Sequence, residues 1–163
     1  MGIRYYAYAF DADMTERAKA DPRSFISDDP LADAWGLPHG AQTAVTNFEQ
    51  SVPSTEMLNL DKAWPLLQEI TKPSATDRRP RPGYRMFEGQ ATMHGDGWTP
   101  WVRALSPTEV IEIAEDLVEL LPAVRDAEIA HRDTRYVLDY LNRAVEFVTG
   151  VAASNRGFAY LIG

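Results

Sequence analysis

The chain has 163 residues, no cysteine and a formal net charge of −8 at neutral pH. Disulfide bonds and thiolate chemistry are therefore excluded, and the acidic balance argues against a nucleic-acid partner, which requires a basic surface. This length and composition predict one folded domain over residues 1–163. The first residues lack the basic and apolar regions of a signal peptide, and no apolar run approaches the ~20 residues of a membrane span. We therefore expect a cytoplasmic protein without a membrane partner.

Residues 3–10 alternate between two faces with a period of two and are rich in tyrosine, which predicts a β-strand. One face carries Ile3, Tyr5, Ala7 and Ala9, and the other carries Arg4, Tyr6, Tyr8 and Phe10. Because both faces are largely apolar, we expect this strand at the centre of a sheet that is covered on both sides.

The following segment is predicted to be mostly irregular. A short helix is expected over residues 14–20, capped by Asp13 or Thr15 and ended by Asp21-Pro22. One helical turn is expected at residues 31–35, and a short strand at residues 44–50.

Residues 58–71 have apolar side chains at helical spacing, but they include Pro65. A proline inside a regular helix costs ~3 kcal/mol because its ring clashes with a carbonyl of the preceding turn. The helix is therefore expected to start late or to kink before Pro65. Residues 72–83, rich in arginine and proline, predict an exposed loop.

The best-defined element of the sequence is the helix predicted over residues 107–121. Ser106 is a favourable N-cap, Pro107 suits the first helical position, and Glu109 completes a capping box three residues after the cap. Pro122 is expected to end this helix or to kink its last turn.

The last part of the chain predicts a strand at residues 100–105, a helix at 134–154 capped by Asp133 or Thr134, and a strand at 158–162. The predicted fold is α+β. A small mixed or antiparallel sheet contains the N- and C-terminal strands and is packed by the three main helices.

Several short motifs follow one another in a fixed order. They are Met1-Gly-Ile-Arg-Tyr-Tyr6, Leu60-Asp-Lys-Ala-Trp64, Gly97-Trp98, Leu105-Ser-Pro-Thr-Glu-Val110 and Gly157-Phe-Ala-Tyr-Leu-Ile162. In this order and spacing the chain resembles the YfbM-like family of uncharacterised bacterial proteins. The resemblance implies a small cytoplasmic α+β domain without an established activity. Pro65 and Gln68 stand where similar proteins often have histidines, so no function of those histidines can operate in this chain.

Large aromatic side chains gather around the glycine-rich turn at residues 95–97. Trp98 and Trp101 lie three residues apart on an extended segment, so their side chains are expected on opposite faces. They are predicted to form an aromatic wall together with Tyr84, Phe87, Tyr5 and Tyr160. Where such a wall is exposed it is a ligand cleft or a protein interface, and where it is buried it is core.

Two polar groups each have a functional and a structural interpretation. Asp61 either orients a ligand beside Trp64 or stabilises the start of a helix while Trp64 fills the core. Glu88, His94 and Asp96 either supply a general base with its partner, or form a polar loop in which Asp96 stabilises a turn. One His-x-Asp pair is too little for zinc, so neither a metal nor a cofactor is predicted.

Charge is distributed unevenly along the chain. Residues 72–85 hold five cations against Asp77, whereas residues 104–131 hold seven acids against Arg125. The basic segment is expected either to bind an anionic ligand or the acidic helix face of a partner, or to be a solvated connector. Ordering a proline-rich loop on binding is costly, which favours the connector.

No complete catalytic set is present, so enzymatic activity is not favoured. The leading hypothesis is a binding domain that takes a small molecule or a protein segment in an aromatic cleft. Its candidate ligand-binding residues are Trp98, Trp101, Trp64, Tyr84, His94, Asp96, Glu88 and Asp61. One alternative is an acidic interaction or inhibitor-like protein that uses the carboxylates of residues 109–128. Another is a hydrolase-type enzyme that uses His94 with Asp96 or Glu88.

Overall fold

The computed structural model describes residues 2–43, 45–128 and 134–163. Six strands are found there: β1 Tyr5–Phe10, β2 Met57–Asp61, β3 Thr92–His94, β4 Gly97–Thr99, β5 Trp101–Leu105 and β6 Gly157–Ile162. Four of them form an antiparallel sheet in the order β2-β1-β6-β5, and β3 pairs with β4 in a separate hairpin. The prediction of an α+β fold whose sheet includes both terminal strands is confirmed, and β1 and β6 are its two central strands.

The same ranges contain the helices α1 Thr15–Ala20, α2 Pro30–Trp35, α3 Trp64–Thr71, α4 Pro107–Glu128 and α5 Thr134–Ala153. Each face of the sheet carries its own hydrophobic layer. Tyr5 and Tyr160 belong to a large core with α3, α4 and α5, whereas Tyr6 and Leu161 belong to a smaller core that includes residues of α1 and α2. The central strand is therefore covered on both sides, as its two apolar faces indicated.

The predicted capping box at the start of α4 is present. Ser106 Oγ accepts a hydrogen bond from the Glu109 backbone N–H at 3.3 Å, and Glu109 Oε2 accepts one from the Ser106 N–H at 2.8 Å. Pro122 does not end the helix, which continues to Glu128. Val124, beyond the proline, is buried in the main core, and this burial offsets the lost backbone hydrogen bond.

The helix predicted over residues 58–71 starts late, as Pro65 indicated: α3 begins at Trp64, with Pro65 in its first turn. Residues 58–61 belong instead to strand β2, which carries buried Leu58 and Leu60. Two other local predictions are wrong. Residues 45–50 form no strand, and Ala44 lies outside the described residues. Neither Asp13 nor Thr15 caps α1, because Thr15 Oγ1 instead donates to the Ala12 carbonyl.

The predicted cap of α5 cannot be compared with the structure. Asp133 lies outside the described residues, as does the side chain of Thr134. The other end of α5 is clear: Asn155 adopts a left-handed conformation (φ 51°), and the Arg156 N–H bonds back to the Val151 carbonyl. This pairing is a common way to terminate a helix.

Candidate functional site

Trp98 and Trp101 lie on different strands: Trp98 is in β4 of the separate hairpin, and Trp101 is in β5 of the four-stranded sheet. Trp101 is opposite Ile162 in the β5–β6 pairing and shares the face of the main core, whereas Trp98 lies beside Tyr6 and Leu161 of the smaller core. Both indoles are partly exposed, Trp98 to 38% and Trp101 to 39%. The two tryptophans therefore do not form one wall.

Trp98 borders a cleft of about 240 Å³. The lining is Gly2, Arg4, Tyr6, Arg23, Pro30, Leu31, Trp98, Pro100, Leu161 and Gly163. The sequence prediction missed all of these residues except Trp98, because they come from four distant segments of the chain. No carboxylate side chain is among the described lining residues, and two arginines are. We call this site the Trp98 cleft.

The two arginines of the Trp98 cleft are held in different ways. Arg4 Nε donates to Asp61 Oδ1 at 2.7 Å, so its charge is partly neutralised. Arg23 donates to the carbonyls of Ile26 and Ser27, at 2.8 and 3.2 Å, and these bonds orient the guanidinium. They do not neutralise its charge, because neither acceptor is a carboxylate. The cleft is thus apolar along its walls and positive at Arg23.

Trp101 has a structural contact of its own. A Cβ placed on Gly89 would lie 2.3 Å from the Trp101 indole, so the ring rests directly on this glycine, whose φ is 114°. Glu88, the preceding residue, forms an ion pair with Arg103 of β5. The Trp101 ring and the ion pair of Glu88 therefore hold residues 88–89 against β5, the edge strand of the sheet.

Trp64 and Tyr84 occupy less accessible positions. Trp64 is buried in the main core and its Nε1 donates to the Ile3 carbonyl at 3.4 Å. Tyr84 is half-buried in a short 3-10 helix, Pro82–Met86. Neither residue lines the Trp98 cleft.

His94 and Glu88 of the predicted polar group contact other residues rather than each other. His94 Nε2 meets the hydroxyl of Thr99 at 2.7 Å across the β3–β4 hairpin, and both side chains are exposed. Asp96 is exposed on the hairpin turn, and Glu88 is paired with Arg103. None of the three lines the Trp98 cleft.

The basic segment contacts the protein's own acidic helix. Arg81 Nη2 lies 2.9 Å from Asp116 Oδ1, and Arg85 Nη1 lies 2.5 Å from Glu112 Oε2. Residues 72–80 are exposed, as predicted for this loop, but Gly83 is buried and its N–H donates to Asp116 Oδ2 at 2.9 Å. The end of the segment is thus anchored to α4, and two of the helix's acids are neutralised within the molecule.

Asp61 does not start a helix. It ends β2 in a left-handed conformation (φ 45°), next to a bulge in the β1–β2 pairing, and binds Arg4. The residue that precedes α3 is Ala63, and it makes no side-chain cap. Asp61 borders a second cavity, described below, whose aromatic residues the sequence prediction did not single out.

No family model, curated protein or solved structure matches this chain. The resemblance to the YfbM-like family therefore stays a prediction. Across residues 2–43, 45–128 and 134–163, no three acidic or histidine side chains gather closely enough to hold a metal ion. None of the helices in these ranges has the length and apolar character that a membrane crossing requires.

Proposed function

We infer that this chain is a non-enzymatic binding protein whose Trp98 cleft takes a small, largely apolar ligand with an anionic group. One observation carries the proposal: the cleft combines exposed apolar side chains with arginine, and its described lining residues include neither aspartate nor glutamate. Trp98 and Leu31 are both exposed large hydrophobic residues, and burying them under a ligand would stabilise a complex by ~25 cal/mol per Å² of apolar surface.

The size of the cleft favours a small molecule over a protein segment. Its volume of about 240 Å³ lies below the ~300 Å³ at which sites for drug-sized ligands begin. A protein partner needs a contact of ~800 Å² on each side, most of which would fall outside the cleft. Tryptophan and arginine are also the residue types that concentrate binding energy in a small area.

Titration calorimetry with 2-naphthoate, an aromatic anion, tests this proposal. We expect Trp98→Ala to weaken binding at least about tenfold, since removing a ring that stacks on the ligand costs ~1–3 kcal/mol. Neutral 2-naphthylmethanol should bind more weakly than the anion, because only the anion attracts Arg23.

Trp101→Phe is the matched control, because Trp101 is equally exposed but lies on the other face of the sheet. Binding of 2-naphthoate that is the same in Trp98→Ala and in the wild-type protein would contradict the proposal.

A further inference from the structure

A second cavity lies where the end of α2, the loop around Phe48, the end of β2 and helix α5 meet. It has a volume of about 180 Å³ and is lined by Ala34, Trp35, Phe48, Asn59, Asp61, Tyr140 and Arg143. A neighbouring cavity of about 250 Å³ is lined by Gln50, Ser54, Thr55, Met57, Leu58, Asn59, Arg143, Glu146, Phe147 and Gly150. Asn59 and Arg143 line both cavities, and we call the two together the Arg143 groove.

The smaller cavity has aromatic walls. The rings of Trp35 and Phe48 lie 6.0 Å apart, and the ring of Tyr140 carries the Arg143 guanidinium at 4.8 Å from its centroid. Phe48 is 81% exposed, so it contributes little to the core. Trp35 and Tyr140 are half-buried, so the exposed ring of Phe48 is the surface suited to stacking on a planar ligand.

The backbone at this cavity is strained. Phe48 (φ 58°) and Asp61 (φ 45°) are two of the three non-glycine residues with a left-handed backbone in the described ranges. The third, Asn155, is explained by the end of α5. Strained residues gather at functional sites, where the surrounding structure holds them in place.

The loop that presents Phe48 is held by local hydrogen bonds. The Phe48 N–H donates to Thr46 Oγ1 at 3.1 Å, and the Glu49 N–H donates to Asn47 Oδ1 at 3.0 Å. Asn47 in turn packs on Gly36, where an added Cβ would lie 1.9 Å from Asn47 Oδ1. The exposed ring is therefore presented by a fixed loop.

Polar groups in the groove have unused hydrogen-bonding capacity. Arg143 forms no ion pair with any carboxylate of the described residues, and its contact is the ring of Tyr140. Asn59 Oδ1 accepts the Asp61 N–H at 2.8 Å, which leaves the Asn59 amide NH2 as a donor. Asp61 uses Oδ1 for Arg4, which leaves Oδ2 as an acceptor.

These groups define a ligand with two parts. The exposed ring of Phe48 suits a flat ring, and Asn59 with Asp61 can pair with the acceptors and donors at its edge. Arg143, which lines both cavities, suits an anion, and the hydroxyls of Ser54 and Thr55 in the larger cavity can donate hydrogen bonds to the same anion.

We propose that the Arg143 groove binds a mononucleotide, with the base stacked on the exposed ring of Phe48 and the phosphate at Arg143. The volumes support a ligand that reaches both cavities, because a mononucleotide is a drug-sized ligand and each cavity alone is below the ~300 Å³ at which sites for such ligands begin. A nucleic-acid strand does not fit the charge, since a strand requires a track of cations, whereas the groove has one arginine without a carboxylate partner among the described residues and is also lined by Asp61 and Glu146. The proposal does not depend on the Trp98 cleft.

Titration calorimetry with AMP, GMP, CMP and UMP, and with the matching nucleosides, tests the proposal. We expect at least one mononucleotide to bind with a Kd of about 1 mM or tighter, and its nucleoside to bind about tenfold more weakly. Phe48→Ala should weaken binding at least about tenfold by removing one stacking surface. Arg143→Gln should remove the preference for the nucleotide over the nucleoside.

Two control variants separate this site from others. Arg135→Gln removes an exposed arginine from the same helix, outside both cavities, and Trp98→Ala alters only the other cleft. Both should bind the mononucleotide as the wild type does. The exposure of Phe48 makes loss of folding in Phe48→Ala unexpected, and thermal unfolding would verify this.

Three results would overturn the proposal. The first is the absence of binding by all four mononucleotides at about 1 mM. The second is binding that Arg143→Gln and Arg135→Gln alter equally. The third is a nucleoside that binds as tightly as its nucleotide.

Discussion

Arg81 and Arg143 represent two regions in which the fold treats a positive charge in opposite ways. Arg81 is paired with Asp116, which also accepts the N–H of buried Gly83. Arg143 lies on the ring of Tyr140 and has no carboxylate partner among the described residues. One arginine is part of the scaffold, and the other is available to a ligand.

A basic segment and an acidic segment in one sequence therefore need not form an interface with a partner molecule. The basic residues 72–85 and the acidic residues 104–131 suggest a charged partner when they are considered separately. In the folded chain, Arg81 pairs with Asp116 and Arg85 pairs with Glu112 of α4. Part of the opposite charge is therefore neutralised within the molecule. The arginines proposed to meet ligands, Arg23 and Arg143, lie outside both of these segments.

The largest expected effect comes from removing Asp116. Its side chain is nearly buried and serves both Arg81 and the Gly83 N–H, so Asp116→Ala would leave a buried donor and a partly buried guanidinium without their acceptor. We expect the free energy of unfolding to fall by about 2–4 kcal/mol, measured by urea denaturation.

Asp126→Ala is the control for that experiment, because Asp126 is an exposed acid on the same helix. It should change the free energy of unfolding by no more than about 0.5 kcal/mol. Equal losses in the two variants would show that Asp116 stabilises the protein only through the net charge of α4.

The comparison between the two arginines can be made directly with Arg81→Gln and Arg143→Gln. Arg81→Gln should lower the free energy of unfolding by about 1 kcal/mol, a value reduced by the partial exposure of the pair. Arg143→Gln should lower it by about 0.5 kcal/mol or less, because an exposed cation–π contact contributes little. If Arg143→Gln lowered the free energy of unfolding as much as Arg81→Gln does, Arg143 would be a structural residue and not one that is available to a ligand.

The elements that the sequence predicts well are those defined by neighbouring residues. The capping box of Ser106 and Glu109 needs only four consecutive positions, and the alternation of residues 3–10 needs only eight. β2 was missed because Leu58 and Leu60 fit a strand while Leu60, Ala63 and Trp64 fit a helix. A short apolar stretch does not distinguish the two, and the pairing with β1 decides.

The candidate sites depend on contacts between distant residues, and this is why the sequence predicted them poorly. Trp35, Phe48, Asp61 and Arg143 converge through the sheet and α5, and no local pattern links them. Trp98 and Trp101 show the reverse case, since the sequence analysis grouped them in one aromatic wall but they lie on different strands and only Trp98 lines the cleft. The strained backbone of Phe48 has no sequence signal, because phenylalanine does not favour that conformation.

Asp33 and His39 connect the region around Trp35 to the central strand. His39 Nε2 lies 2.7 Å from Asp33 Oδ1, and the Tyr8 hydroxyl donates to Asp33 Oδ2 at 2.7 Å. Burial alone would raise the pKa of Asp33, but hydrogen bonds from His39 and Tyr8 outweigh it and leave that pKa lowered. The hydrogen bond to Asp33 raises the pKa of the exposed His39 imidazole.

The smallest expected effect follows from the raised pKa of His39. A group whose pKa is higher in the folded than in the unfolded protein stabilises the fold fully below its unfolded pKa, ~6.5 for histidine, and that contribution is lost as the pH rises through the folded pKa. We therefore expect His39→Gln to lower the unfolding temperature more at about pH 5.5 than at about pH 8.5, measured by calorimetry. An equal decrease at both pH values would mean that His39 contributes its shape and hydrogen bond but not its charge. In that case the end of α2, and with it Trp35, would be held without any electrostatic contribution from His39.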